Sequence, residues 1–256
     1  MKILALDTAC MTATCAVLEN GTLLAESAMH GARTHSQKLL PMVSSMLESL
    51  SLAPSDMDAF AVSVGPGSFT GLRIGIVTVK GFASATGKPC VGIRTLEALA
   101  CTIPCFHGVV CPVLDARNLQ AFCGFYDLQD RMPSRLLEDG VLHVDALADA
   151  LAAIGKDVLL VGDTADRFLP LIRERLAASG VGIAVHAADP ALFSTRAATV
   201  ALLAERRLAA GDPGDAFALE AFYMRPSQAE RYRLAKSEGG TGTKAPDSTR
   251  MKQGKT

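Results

Sequence analysis

The chain of 256 residues is long enough for one large domain or two smaller ones, and its 49% hydrophobic residues supply a sizeable core. With 5% aromatic residues and no tryptophan, that core must be aliphatic and alanine-rich, as where helices cover a parallel or mixed sheet. A formal net charge of −1 argues against a stand-alone nucleic-acid binder, which would need a positive surface.

In chain order, residues 2–9 read as an apolar strand ending at Asp7, and "TCAVLE" as a second strand. Asn20–Gly21 is a tight hairpin signal, and "TLLAES" is a third strand. "HSQKLLPMVSSMLESL" puts Leu39, Leu40, Val43, Leu47 and Leu50 on one helical face, with Ser36 as N-cap and Pro41 distorting the first turns. "DAFAVSVGPG" is a strand running into glycines, and Ile74 to Ala85 is a helix.

The same order recurs from Val109. "VVCPVLDAR" is a strand ending at Asp115, followed by "QAFCGFYDL" and "SRLLED". "VDALADALAAIG" is a helix stopped by Gly155, "DVLLVGDTAD" a strand, and "RFLPLIRERLAAS" a helix. Asp7 thus matches Asp115, and Val64–Gly65 matches Val161–Gly162. Two βββαβα units predict two similar lobes meeting at a cleft. A further helix, "TRAATVALLAERRLAAG", and an ordered segment, "EAFYMRPSQAERYRL", follow before a tail too poor in bulky apolar residues to fold.

The seven cysteines, odd in number and without a CxxC, read as buried free thiols of a reducing compartment. The spacing of Cys101, Cys105 and Cys111 fits no structural zinc pattern. The apolar run before Asp7 is too short for a signal peptide or a membrane span, so a soluble cytoplasmic protein is expected.

"SVGPGSFTGLRIGIVTVKGFA" is the chain's most distinctive stretch. It is no P-loop, because Gly71 is followed by Leu72–Arg73 rather than Lys–Ser/Thr. The G-x-G-x-x-G spacing is missed by one residue, and Pro66 removes a donor that an anion would use. Backbone N–H groups around Gly67 to Thr70 could still hold an anion at a helix start. Close packing explains the glycines better. Gly71 and Gly75 share a helical face that Thr78 continues, a strip without Cβ atoms that either the same lobe or another chain would approach.

"ILALDTA", "GPGSFTGLRIG" with "KGFA", "HSQKLLP", "TLEALA", "LDAR" and "YMRPSQAE" together resemble the TsaB (YeaZ) family, from the start to about residue 233. The resemblance implies an α/β, two-lobed actin/Hsp70/sugar-kinase-like (ASKHA) fold. It implies a first lobe over 1–104 with the partner-docking helices, a second over 105–235, and a tail over 236–256. It further implies a non-catalytic partner of TsaD in forming N6-threonylcarbamoyladenosine (t6A) at adenosine 37 of ANN-decoding tRNAs. TsaE and tRNA would be met through that complex, and the chain alone would be a homodimer. No cofactor of its own is implied, with ATP or ADP confined to the complex interface. The docking surface would be Gly67, Phe69, Thr70, Gly71, Leu72, Arg73, Gly75 and Thr78.

TsaD-like relatives carry metal-binding histidines in a V-N-H-x-E-G-H pattern, and here Thr95 and Leu99 of "GIRTLEALA" stand in their place. Neither replaces an imidazole, so no metal site is expected. Asp7 stands where sugar-kinase folds place a magnesium-organising carboxylate, but "DTACMTATC" lacks the glycine of a phosphate hairpin. An ATP-dependent kinase or hydrolase using Asp7 and Asp115 across a degenerate nucleotide cleft is the alternative. His30 and His35 lie five apart, against a zinc peptidase, and no G-x-S-x-G elbow occurs. Asp115 and Arg117 are expected to form a surface ion pair.

Overall fold

A computed structural model describes residues 1–31, 35–129 and 132–225. β1 (Lys2–Asp7), β2 (Thr12–Glu19) and β3 (Thr22–His30) form an antiparallel meander, followed by α1 (His35–Ser49). β4 (Ala59–Gly65) returns parallel to β1, α2 (Phe69–Thr86) crosses over, and β5 (Cys90–Arg94) lies parallel to β4. α3 (Thr95–Ala100) closes the unit.

The second unit repeats this plan with β6 (Val109–Asp115), β7 (Gln120–Gln129), β8 (Met132–His143), α4 (Val144–Ile154), β9 (Val158–Val161), α5 (Ala165–Ala178), β10 (Val185–Ala187) and α6 (Ala197–Ala209). Strand order is β3-β2-β1-β4-β5 in one sheet and β8-β7-β6-β9-β10 in the other, so the duplication extends to topology. Each unit also holds a fifth strand and a closing helix that the repeat read from sequence did not include.

α1 and α2 cover one face of the first sheet through Leu39, Val43, Met46 and Leu47 and through Leu72, Ile76, Val79 and Ala83. Fully burying one such aliphatic side chain stabilises by roughly 1.5–3 kcal/mol. Leu40, expected on that face, points out and is 53% exposed; Met46 fills the core instead. Ser36 lies inside the first turn of α1, which begins one residue earlier. α2 starts at Phe69 rather than Ile74, because the Ser68 hydroxyl accepts the Gly71 N–H at 3.2 Å and caps it. Gly87 ends α2 in the left-handed region, as Gly155 ends α4.

The closing helices exchange sides. α6 lies on the free face of the first sheet, where Ala197, Val200 and Ala201 meet Ala5, Ala61 and Val91. α3 presents Leu96, Leu99 and Ala100 to Val110, Leu114 and Tyr126 of the second sheet. α3 and α6 thus tie the two sheets together, and Met1–Met224 is one compact unit. The expected tail, and the expected ordered segment from residue 226 on, lie outside the described residues.

Candidate functional site: the glycine turn, the strand-end carboxylates and the outer face of α2

The glycine strip is occupied from within. A Cβ on Gly67 would stand 2.5 Å from the Ala9 carbonyl oxygen, one on Gly71 would strike the Thr8 carbonyl oxygen, and one on Gly75 would stand 2.5 Å from Thr8 Oγ1. The Thr8 hydroxyl donates to the Gly71 carbonyl at 2.7 Å, and the Ser68 N–H donates to the Ala9 carbonyl at 2.7 Å. These glycines let α2 lie directly on the turn that joins β1 to β2. The docking surface expected from the sequence includes Gly67, Gly71, Gly75 and Leu72, and all four take part in the chain's own packing. Gly71, Leu72 and Gly75 are buried inside the chain, and Gly67 meets Ala9. The Ser68 N–H is likewise engaged and does not wait for an anion.

The remaining residues of that set stay at the surface. Thr70 and Arg73 are exposed, Phe69 and Thr78 half-buried, and Val77, next to Thr78, is 68% exposed. The Thr78 hydroxyl is turned back to the Ile74 carbonyl at 2.8 Å. Phe69 stacks on Tyr223 with ring centroids 4.6 Å apart, Arg73 lies 4.0 Å over Phe69, and Arg73 Nε donates to Tyr223 Oη at 3.0 Å. Such stacks combine area with ring–cation attraction.

Tyr223 belongs to a strap that crosses the first lobe. Gly214 accepts the Cys90 N–H at 2.9 Å, Leu219 enters the core under α2, and the Phe222 N–H donates to the Val64 carbonyl at 2.7 Å. The Arg94 guanidinium sits 3.2 Å over the Phe222 ring. Sequence reasoning expected order here but not the attachment to α2; the paired aromatics of "EAFYMRP" were the available signal.

Asp7 and Asp115 occupy equivalent strand ends with opposite surroundings. Asp7 is fully buried; its Oδ1 accepts the Ala9 N–H at 3.1 Å and the Thr195 hydroxyl at 3.2 Å. Burial pushes its carboxyl above the usual range, with the neighbouring Ser63 hydroxyl, the Ala9 N–H, Thr195 and His35 opposing. Asp115 is open to solvent. It accepts Arg167 Nη2 at 2.8 Å and the Arg117 backbone N–H at 3.2 Å, while its own N–H donates to Asp163 at 2.8 Å. The ion pair is therefore with Arg167, not with the Arg117 side chain as expected; Arg117 has a left-handed backbone that turns it back toward Asp115.

These surroundings do not fit a magnesium nucleotide. The Asp7 carboxylate is sealed by Thr195 ahead of α6, and the turn after β1 has its backbone occupied by Ser68. Thr95 and Leu99 are both fully buried, Leu99 among the aliphatic side chains between the sheets. Among the described residues no group of three His, Cys, Asp or Glu is placed to hold a metal. Cys111 is in the second-lobe core while Cys105 is exposed, so the three clustered cysteines do not converge. His35 opens α1 and contacts the Cys10 carbonyl through Nε2 at 2.9 Å. No helix among the described residues is long and apolar enough to cross a membrane.

Two sheets of one topology, each first strand ending at a carboxylate, make an actin/Hsp70/sugar-kinase-like fold. Comparison with known proteins narrows the class. The model of the TsaD family, tRNA N6-adenosine threonylcarbamoyltransferase, matches residues 24–231. The Bacillus subtilis tRNA threonylcarbamoyladenosine biosynthesis protein TsaB is 30% identical over 231 residues, covering 90% of this chain and 96% of that protein. The Escherichia coli TsaB is 40% identical over 100 residues, 39% of this chain and 43% of that protein. A solved structure of YeaZ from Pseudomonas aeruginosa superposes with a TM-score of 0.69 at 28% identity, covering 87% of this chain and 99% of that one. A second, described as an uncharacterised protein with similarity to peptidase YeaZ, reaches 0.73 at 28% identity over 88% and 99%. The chain belongs to the TsaB (YeaZ) family of tRNA threonylcarbamoyladenosine biosynthesis proteins.

Proposed function

We propose that this chain is a non-catalytic subunit in the formation of t6A at adenosine 37 of ANN-decoding tRNAs, which binds and activates TsaD. The observation that carries the reading is the state of Thr95 and Leu99. Where TsaD-like relatives would present metal-binding histidines, this chain has a buried hydroxyl and a leucine locked in an apolar layer. A reactive centre then has to come from another polypeptide.

The docking surface proposed is the outward face of α1 and α2: Leu40 on α1, and Thr70, Arg73 and Val77 on α2 with Phe69 and Thr78 at its flank. Leu40 and Val77 are large apolar side chains left in solvent on adjacent helices, which supports an interface there. The same face would serve a homodimer of the free chain, so dimer and TsaD complex would exclude one another. TsaE and tRNA would be reached through the complex, and a nucleotide would belong to its interface.

The test is co-purification with TsaD and t6A formation in a reconstituted mixture, comparing the parent chain with Val77→Glu. The substitution is at an exposed position and should leave the circular dichroism and unfolding midpoint unchanged. Loss of TsaD binding and of t6A together is the expected result. Retention of both with a folded variant removes the proposed face, and turnover of nucleotide by the isolated parent chain removes the non-catalytic reading.

A further inference from the structure

Four buried side-chain oxygens without a hydrogen-bond partner gather at one end of the first sheet: Asp7 Oδ2, Thr14 Oγ1, Ser63 Oγ and Thr95 Oγ1. Strand register brings the first three together. Asp7 is paired with Thr14 across β1 and β2, and it lies one step beyond the Leu6–Val62 pair, beside Ser63 of β4. Side chains of paired residues share a face, here the one roofed by α6. Thr95 opens α3 directly after β5, whose Ile93 is paired with Ser63. Thr195, just ahead of α6, closes the group by donating to Asp7 Oδ1. All five residues are at least 98% buried.

Hydrogen-bond capacity identifies the guest. Each hydroxyl has one proton to donate, and the Asp7 Oδ2 accepts when the carboxyl is ionised. A bare cation would take lone pairs but leave the Thr14 and Thr95 hydroxyl protons without an acceptor, while Ser63 lies beside the Asp7 carboxyl and lowers its pKa. Water both donates and accepts, and buried waters in proteins typically make about three such bonds to groups of this kind. A nucleotide is excluded by the closure over Asp7. We propose that the nest is a closed site for ordered water, at least one molecule bridging Asp7 Oδ2 to the hydroxyls of Thr14, Ser63 and Thr95. The water would join β1, β2, β4 and α3 beneath α6, at the carboxyl ends of the parallel strands where this class of sheet otherwise receives ligands.

The experiment counts long-lived internal waters by oxygen-17 magnetic relaxation dispersion in the full chain and in Thr14→Val, Thr95→Val and Ser63→Ala. The valines keep shape and replace the hydroxyl by a methyl; Ser63→Ala removes a single heavy atom and remains informative if a valine variant does not fold. The expected result is one fewer long-lived water in each folded variant, with a lower unfolding midpoint. An unchanged count overturns the proposal, and a raised midpoint would accompany it, because an unpartnered hydroxyl is itself costly to bury. Stabilisation of the parent chain by millimolar Na⁺, K⁺ or Mg²⁺ that disappears in Asp7→Asn would assign the nest to a cation and also overturn it.

Discussion

The Thr8 hydroxyl reaches the Gly71 carbonyl at 2.7 Å, fastening the turn after β1 to the first turn of α2. The contact is close because neither Gly71 nor Gly75 has a side chain to hold the two segments apart.

Two glycines of α2 are therefore expected to respond oppositely to the same change. Gly71→Ala drives a Cβ into the Thr8 carbonyl, backbone that cannot step aside, and should cost about 3 kcal/mol or more. Gly81→Ala meets nothing within 4 Å and should stabilise the helix by about 0.5–1 kcal/mol. Urea unfolding of both variants checks the pair; equal effects would mean that α2 does not rest on the hairpin.

Asp7→Asn should change the pH dependence of stability. The carboxyl is raised by burial from the unfolded value of 3.8, so the native state favours the protonated form. Stability present below pH 3.8 is then lost as pH rises toward the folded value. Asparagine keeps an acceptor for Ala9 and Thr195 but carries no charge. Its stability relative to the parent should increase from pH 3 to pH 7, measured by denaturant titration; a constant or falling difference would contradict a buried, unpaired carboxylate.

Leu219→Ala should loosen the strap. Leu219 is 7% exposed in the core under α2, and truncating such a residue costs about 2–4 kcal/mol. Limited proteolysis should cut between Gly211 and Tyr223 sooner in the variant. Tyr223→Phe, which loses only the bond from Arg73, should cost about 1 kcal/mol and leave the cleavage pattern intact.

Asp115→Asn should shift stability by no more than about 1 kcal/mol, because its partner Arg167 is half exposed and solvent screens the pair. A larger loss by thermal unfolding would show that the Asp115–Arg167 contact is structural.

The duplication was legible because the first strand of each meander ends at an aspartate, Asp7 and Asp115, and both crossovers begin after Val–Gly. β5 and α3 escaped because "CVGIRTLEALA" holds a five-residue strand and a six-residue helix, each too short to show a period. The spacing of Gly71 and Gly75 revealed a bare strip but not its occupant. Helical periodicity states which residues share a face and is silent on what lies against it. Leu40 failed for a related reason: it borders the apolar stripe of α1, and only the angle at which that helix sits on the sheet decides between Leu40 and Met46. The orphaned hydroxyls of Thr14 and Thr95 gave no signal, since threonine is ordinary in a strand and at a helix start.

The placement of α6 bears on how the molecule comes into being. During synthesis the first sheet is complete at β5, yet its face carrying Ala5, Ala61 and Val91 stays bare until α6, roughly a hundred residues further along, has been made. The amino-terminal half is thus an unfinished object throughout translation, and a ribosome stalled before Ala197 would hold a nascent chain with an open greasy flank.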